Sequence, residues 1–313
     1  MSLEEEFRNL ALGVDTLLTI GVFDGVHRGH QRLLSELVSK ASEKRLSSGV
    51  ITFNNHPLSQ LEHRNAPLLL TSNEDKIALI KHSKAEFVTS LNFSPELSQT
   101  SARDFCTLLQ RHLGMKGLVL GFDFAMGRNR EGSLSKMDLL GKEMGFTTAI
   151  IPPVTVAGSI VSSTAIRSLI SEGKIRQAAD MLGRNYSLKG TVTIGKGIGR
   201  KLGFPTANIP VNPAFAIPPN GIYATIAMFD GQKLASATNI GTGPTFGGTE
   251  RLIEVHILDF DNSLYGKNIE VEFVEYIRDE IAFTGEDSLK KQIADDITNV
   301  RSIMERITKT NQK

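Results

Sequence analysis

The stretch Gly21-Val22-Phe23-Asp24-Gly25-Val26-His27-Arg28-Gly29-His30 decides how the rest of this chain is read. An apolar run, Leu17-Leu18-Thr19-Ile20, precedes it. Leu33, Leu34, Leu37, Val38 and Ala41 recur behind it at helical spacing. The two histidines therefore fall in a turn between a strand and a helix N-terminus. Backbone N–H groups point outward there and the helix dipole favours anions, so the place suits a phosphate. Two imidazoles three residues apart on one helical face can donate to the same phosphate. Taken alone, the pair has two other readings: idle solvated side chains, or zinc ligands. Zinc needs a third Cys, His or carboxylate at suitable spacing, and only Asp24 lies nearby.

Working outward, residues 17 to about 183 alternate strand-like and helix-like segments. The strands are expected at Leu17–Val22, Gly49–Phe53, Phe87–Leu91, Gly117–Phe122 and Thr147–Ile151. Helices are expected at Gln31–Lys44, Glu74–His82, Ala102–His112 and Leu134–Met144, with two more at Thr164–Glu172 and Ile175–Leu182. Such alternation predicts a mostly parallel sheet covered on both faces, with ligands bound beyond the carboxyl ends of the strands. After Arg184 the texture changes. Glycine and proline become dense, and short β-rich runs follow at Leu188–Ile194, Ile222–Phe229, Leu234–Asn239, Ile253–Phe260 and Ile269–Tyr276. These predict an antiparallel barrel, ended by one helix over Ser288–Ile307. Two domains result, residues 1–184 and 185–313.

The bulk numbers agree with an ordinary globular protein. The chain has 313 residues, 40% hydrophobic and 22% charged, with a net charge of +1. No basic run supports nucleic-acid binding driven by charge. The single cysteine, Cys106, excludes an intramolecular disulfide and fits a reducing compartment. No run of ~18 apolar residues predicts a membrane span. The start, MSLEEEFRNL, lacks a signal-peptide core, so a cytoplasmic location is expected.

Further motifs sit in both halves. Thr52-Phe53-Asn54-Asn55-His56-Pro57 follows the second strand. Gly121-Phe122-Asp123-Phe124-Ala125-Met126-Gly127 follows the fourth, trailed by Arg128, Asn129, Arg130 and Gly132. Val161-Ser162-Ser163-Thr164-Ala165-Ile166-Arg167 opens a helix. Hydroxyls there serve as an ordinary cap, or join helix N–H groups and Arg167 as a triphosphate clamp. In the second half, Gly195 to Ile209 reads GKGIGRKLGFPTANI. Its glycines, Gly195, Gly197, Gly199 and Gly203, let backbone N–H groups come close to phosphates. Thr206 and Asn208, two residues apart, share one side of an extended segment and offer oxygen ligands that suit Mg²⁺. Gly190 to Gly197 approaches a Walker A motif, but Gly197 stands where the Ser or Thr belongs.

Together these strings resemble the bacterial bifunctional riboflavin kinase/FAD synthetase family. G-x-F-D-G-V-H-x-G-H and I-S-S-T-x-I-R resemble the two phosphate elements of nucleotidylyl transferases, and G-x-P-T-A-N the riboflavin kinase motif. Pro219-Asn220-Gly221-Ile222-Tyr223-Ala224, Asn239-Ile240-Gly241-Thr242-Gly243-Pro244-Thr245-Phe246, Glu254-Val255-His256 and Arg278-Asp279-Glu280 follow in the family's order. Three positions depart from its pattern: Asn55 replaces a proline, Met126 an aromatic, and Gly243 a larger polar residue.

The resemblance implies a Rossmann-like nucleotidylyl transferase domain followed by an antiparallel β-barrel kinase domain with a terminal helix. It implies phosphorylation of riboflavin to FMN in the barrel and adenylation of FMN to FAD in the α/β half, with ATP and Mg²⁺. On that reading His27, His30, Arg167 and Glu254 are catalytic, Glu254 as the base. Gly25, Gly29, Ser163, Thr164 and the four glycines of the second half bind ATP phosphates. Asp123, Asn55, His56 and Arg278 meet the flavin, and Thr206 and Asn208 hold the metal. Two alternatives are a chain retaining one of the two activities and a non-enzymatic flavin-binding regulator.

Overall fold

A computed structural model of the chain describes residues 3–10, 13–57, 66–195, 197–242 and 251–311. It divides into two compact units, Met1–Ser163 and Thr164–Lys313.

The first unit runs α1 (Leu3–Arg8), β1 (Thr16–Ile20), α2 (Arg28–Lys44), β2 (Ser47–Phe53), α3 (Asn73–Lys81), β3 (Phe87–Leu91), α4 (Pro95–Gln99), α5 (Ala102–Leu113) and β4 (Met115–Gly121). A small hairpin, β5 (Ala125–Met126) and β6 (Gly132–Ser133), leads to α6 (Leu134–Met144) and β7 (Thr147–Ile151). A second hairpin, β8 (Thr155–Val156) and β9 (Ser159–Ile160), completes it. The five long strands form a parallel sheet in the order β3-β2-β1-β4-β7. Each of these strands and the predicted helices over it is present within a few residues of its expected bounds. Helix starts are set by serine hydroxyls: Ser72, Ser94 and Ser101 accept from the N–H groups of Asp75, Leu97 and Asp104.

Every residue of β1 is buried, which is why it reads as an unbroken apolar run. Leu18, Ile20, Ile51 and Leu120 pack on one face with Phe105, Leu109 and Leu140 of α5 and α6. Leu17, Val50 and Val119 pack on the other with Leu33, Leu34 and Leu37 of α2. Cys106 belongs to the first layer, and burial pushes its thiol up to about 12, so it is inert packing. The strand order reverses about β1, which lies between β2 and β4. Beyond the carboxyl ends of these strands lie residues 21–30, 54–57 and 122–127, at the switch point where such sheets bind ligands.

The second unit holds α7 (Ser163–Ser171, from its second residue), α8 (Ile175–Leu182), β10 (Tyr186–Thr191), α9 (Ile198–Leu202), β11 (Ala207–Pro210), β12 (Gly221–Phe229), β13 (Gln232–Thr242), β14 (Arg251–Ile257), β15 (Asn268–Arg278) and α10 (Glu286–Asn311). The antiparallel strands run β10-β15-β12-β13-β14-β11. The two edges meet just past β10, where Thr193 N–H donates to Asn208 C=O at 2.8 Å. The sheet thus curls into the expected barrel. Alternate residues such as Tyr223, Ala227, Ile240, Val255 and Phe273 fill its interior. Thr225, Ser236 and Thr238 are also buried, and Thr225 Oγ1 lies 2.8 and 2.7 Å from the hydroxyls of the other two. On the outer face, Ile297, Val300 and Ile303 of α10 cover Ala224, Ile226 and Ala237.

The elements differ from expectation in two places. A helical turn, α9, stands within the stretch read as a glycine-rich loop, bounded by Gly197 and Gly203 in the left-handed region. The strand β11 and the helix α1 had not been foreseen. Contacts divide the chain at Ser163/Thr164, whereas the change of sequence texture comes near 184. The difference is α7 and α8: helical texture groups them with the first half, while the apolar face of α8 packs on β10 and β15.

Candidate functional site

In the first unit the turn after β1 is held in a demanding shape. Phe23, Gly25 and Val26 have φ of 54°, 80° and 37°. A β-branched residue at positive φ is strained and persists only when its surroundings impose it. Asp24 supplies much of that constraint. Its buried carboxylate accepts from Leu70 N–H at 3.0 Å and Thr71 N–H at 3.1 Å, and Thr71 Oγ1 accepts from Gly25 N–H at 3.1 Å. The Ser163 hydroxyl donates to Asp24 C=O at 2.8 Å, bringing the end of the first unit against the turn.

His27 is the N-cap of α2, its Nδ1 accepting from His30 N–H at 3.3 Å. The two rings stack at 3.6 Å between centroids and 13° between planes. Gly29 permits this closeness, since a Cβ there would stand 3.2 Å from the His27 ring. Burial and then the charge of His27 hold the His30 pKa well below the usual imidazole range. His30 Nδ1 is buried without a hydrogen-bond partner among the described residues. The arrangement is a neutral, desolvated imidazole at a helix N-terminus, suited to a phosphate oxygen.

The other expected residues divide. Asn55 donates to Phe93 C=O at 3.0 Å and accepts from Phe93 N–H at 2.8 Å. Both ends of its amide clip β2 to the chain after β3, which gives the replacement of proline a structural role. His56 is half-buried in the same loop, and Asp123 is exposed beyond β4. Thr164 and Arg167 lie on α7, in the second unit.

In the second unit, strand register gathers the chemistry. Glu254 of β14 is paired with Asn208 of β11 on one side and Asn239 of β13 on the other. Asn239 Nδ2 donates to Glu254 Oε2 at 3.3 Å, and Asn239 Oδ1 is buried without a hydrogen-bond partner among the described residues. The segment from Gly197 to Thr206 folds back over β14. Phe204 N–H donates to Gly199 C=O at 2.7 Å, Pro205 C=O meets His256 Nδ1 at 2.9 Å, and the Phe204 ring stands edge-on to His256. Glycine is required twice in this fold-back. A Cβ on Gly195 would lie 2.4 Å from Asn208 Nδ2, and one on Gly199 would lie 2.3 Å from Phe204 C=O. Beside Thr206 opens a cavity of about 260 Å³, lined among others by Arg200, Val255, Phe260, Asp261 and Tyr265.

Thr206, Asn208 and Glu254 can offer oxygen ligands, and among the described residues no three or more His, Cys, Asp or Glu are placed to hold a metal ion. Such a sparse oxygen set fits Mg²⁺, which keeps waters and takes phosphate oxygens, and does not fit a caged transition metal. Arg278 is committed within the fold. Its Nε and Nη2 donate to Asp296 Oδ1 and Oδ2 at 2.9 and 2.6 Å, and its Nη1 to Asp279 C=O at 2.8 Å. Gly243 to Phe246 lie outside the described residues. Thr71 and Lys76 were not named from the sequence, and Asp24 and Asn239 were quoted within motifs without these roles. Their roles depend on strand register and on a loop contact that no spacing reveals.

Comparison with known proteins gives the family. Residues 12–165 match the FAD synthetase family model and residues 182–304 the riboflavin kinase model. A bifunctional riboflavin kinase/FMN adenylyltransferase of Buchnera aphidicola subsp. Schizaphis graminum is 36% identical over 92% of this chain and 93% of its own. The enzyme of that name from Escherichia coli K12 is 36% identical over 91% of each chain. A solved structure, a macrolide-efflux protein from Streptococcus pneumoniae by its description, superposes with a TM-score of 0.87. It is 28% identical and covers 94% of this chain and 96% of that one. Among the described residues of the present chain no helix is long and apolar enough to cross a membrane. The chain belongs to the bifunctional riboflavin kinase/FMN adenylyltransferase family, two enzymes of flavin cofactor synthesis in one polypeptide.

Proposed function

We propose that the family's two phosphorus transfers are carried out by the residue sets described above, Glu254 with Asn208 and Thr206 for the kinase and His27 with His30 for the adenylyltransferase. The observation that carries this reading is the register of β11, β14 and β13, which sets Asn208, Glu254 and Asn239 side by side.

In the kinase step the terminal hydroxyl of the riboflavin ribityl chain attacks the γ-phosphorus of ATP. The O–P bond forms, the bond to the β-phosphate oxygen breaks, and ADP leaves. Glu254 takes the hydroxyl proton, with Asn239 holding its carboxylate. The cavity beside Thr206, with its aliphatic and aromatic lining, would take the adenine end of ATP. Thr206 and Asn208 would hold Mg²⁺, which neutralises phosphate charge.

In the adenylyl step an FMN phosphate oxygen attacks the α-phosphorus of ATP and pyrophosphate leaves. Charge grows on the oxygens about phosphorus, and positioned donors stabilise it without a covalent intermediate. His27, His30 and the backbone of Gly25 and Gly29 provide them at the turn. Ser163, Thr164 and Arg167 keep the triphosphate role implied by the I-S-S-T-x-I-R resemblance. Asp123 and His56 are assigned to the flavin. Asn55 and Arg278 act as fasteners beside it. A cytoplasmic location is supported by the single, buried cysteine.

The test uses two variants of the full chain. Glu254→Gln should lower FMN formation by about 10²–10⁴-fold and leave FAD formation from supplied FMN intact. His30→Ala should do the reverse. Loss of both activities from either variant, in folded protein, would refute the division.

A further inference from the structure

Among the described residues Lys76 is the one buried Lys or Arg, at 7% exposure. Burying an ammonium is costly unless it is paired, so its surroundings call for a reason. It stands in the first turns of α3, between the two loops assigned to the adenylyl-transfer substrates. Its Nζ donates to Phe53 C=O at 2.6 Å, at the end of β2 where residues 54–57 begin. Burial lowers its pKa, and the charge of Asp24 in the phosphate turn opposes that shift.

The same helix start is bolted to both loops by other bonds. On the turn side, Thr71 and Leu70 bind the Asp24 carboxylate, and Thr71 Oγ1 accepts from Gly25 N–H. On the other side, Asn73 Nδ2 donates to Asn54 Oδ1 at 3.1 Å, which also accepts from Ser90 Oγ. The chain from Leu70 to Lys76 thus bridges the two loops, and Lys76 is its charged centre.

We infer that Lys76 is a positioning residue for adenylyl transfer, setting the spacing between the phosphate turn and the 54–57 loop. This rests on assigning those loops to ATP and FMN. Each substrate would still bind its own loop without Lys76, but the attacking oxygen and the α-phosphorus would no longer be aligned. Misalignment on the order of 1 Å costs up to about 10²-fold in rate. The loss should therefore fall on kcat and not on KM.

The experiment is FAD formation from FMN and ATP by full-length Lys76→Met, with riboflavin phosphorylation by the same preparation as an internal control. A kcat lowered by about tenfold to a hundredfold, with KM for ATP and FMN within about threefold of wild type, supports the inference. Lys76→Gln keeps a donor for Phe53 C=O but not the charge, and should recover part of the kcat. It also serves if the methionine variant does not fold. A Lys76→Met kcat within about twofold of wild type, or the same result for Lys76→Gln where the methionine variant does not fold, overturns the inference, as do KM values that rise while kcat holds. His30→Ala, run alongside, separates the two failures. If it retains FAD formation, the loop assignment itself falls. If it loses activity while both Lys76 variants keep theirs, only the role of Lys76 falls.

Discussion

Removing Asp296 tests whether the Arg278 guanidinium is a structural lock of the barrel. Asp296 lies on α10 with its side chain 5% exposed, and Arg278 ends β15 with 21% exposed. Two hydrogen bonds join them, and Gln292 Nε2 adds a third to Asp296 at 3.1 Å. Breaking a buried pair by deleting one partner costs about 3–5 kcal/mol, because the other charge stays buried and uncompensated. Arg278 is partly wet, so the lower end, about 3 kcal/mol, applies to Asp296→Ala. For a unit of this size that is a fall in Tm of about 6–12 °C.

The chain offers a clean probe. It has no tryptophan, and its four tyrosines, Tyr186, Tyr223, Tyr265 and Tyr276, all belong to the second unit. Tyrosine fluorescence during heating therefore reports that unit alone. The double variant Arg278→Met, Asp296→Ala removes both charges and should recover more than half of the loss. A fall below about 2 °C for the single variant, or a double variant no more stable than the single, would refute the lock.

Two further outcomes follow from the sites. Gly195→Ala drives a Cβ to 2.4 Å from Asn208 Nδ2; kinase kcat/KM should drop about tenfold or more, with FAD formation from FMN unchanged in the same assay tube. His30 is held neutral in the fold but gains a proton near its ordinary 6.5 once unfolded. The unfolded chain then binds the extra proton, so this contribution to stability is complete above about pH 6.5 and is lost as pH falls below it. Calorimetry between pH 8 and pH 5 should show a flatter acid limb for His30→Asn than for wild type. Equal slopes would mean His30 is not kept neutral.

Much of the fold was legible because the signals are local. β1 is buried on both faces and reads as an apolar run, and α2 carries its buried leucines at helical spacing. The turn from Gly21 to His30 was legible because its chemistry is contiguous in the chain. What stayed hidden depends on tertiary placement. Asn239 reaches Glu254 only through the register of β13 on β14. Asp24, quoted in the motif, turned out to be the fastener of the turn because Leu70 and Thr71 come to it from 46 and 47 residues away. Arg278 matched a flavin-side motif, yet its partner sits on a helix whose docking no spacing encodes. The helix α9, only five residues long, is imposed by the fold-back onto β14 and has no buried residue of its own to announce it.

The most direct measurement follows the two phosphorus atoms. The purified chain is given riboflavin, Mg²⁺ and ATP labelled either at the γ- or at the α-phosphate, and flavins are separated over time. The account predicts γ-label first in FMN and then in FAD, and α-label in FAD alone, with unlabelled pyrophosphate released in step with it. Riboflavin left unphosphorylated by a folded chain, or α-label appearing in FMN, would contradict it.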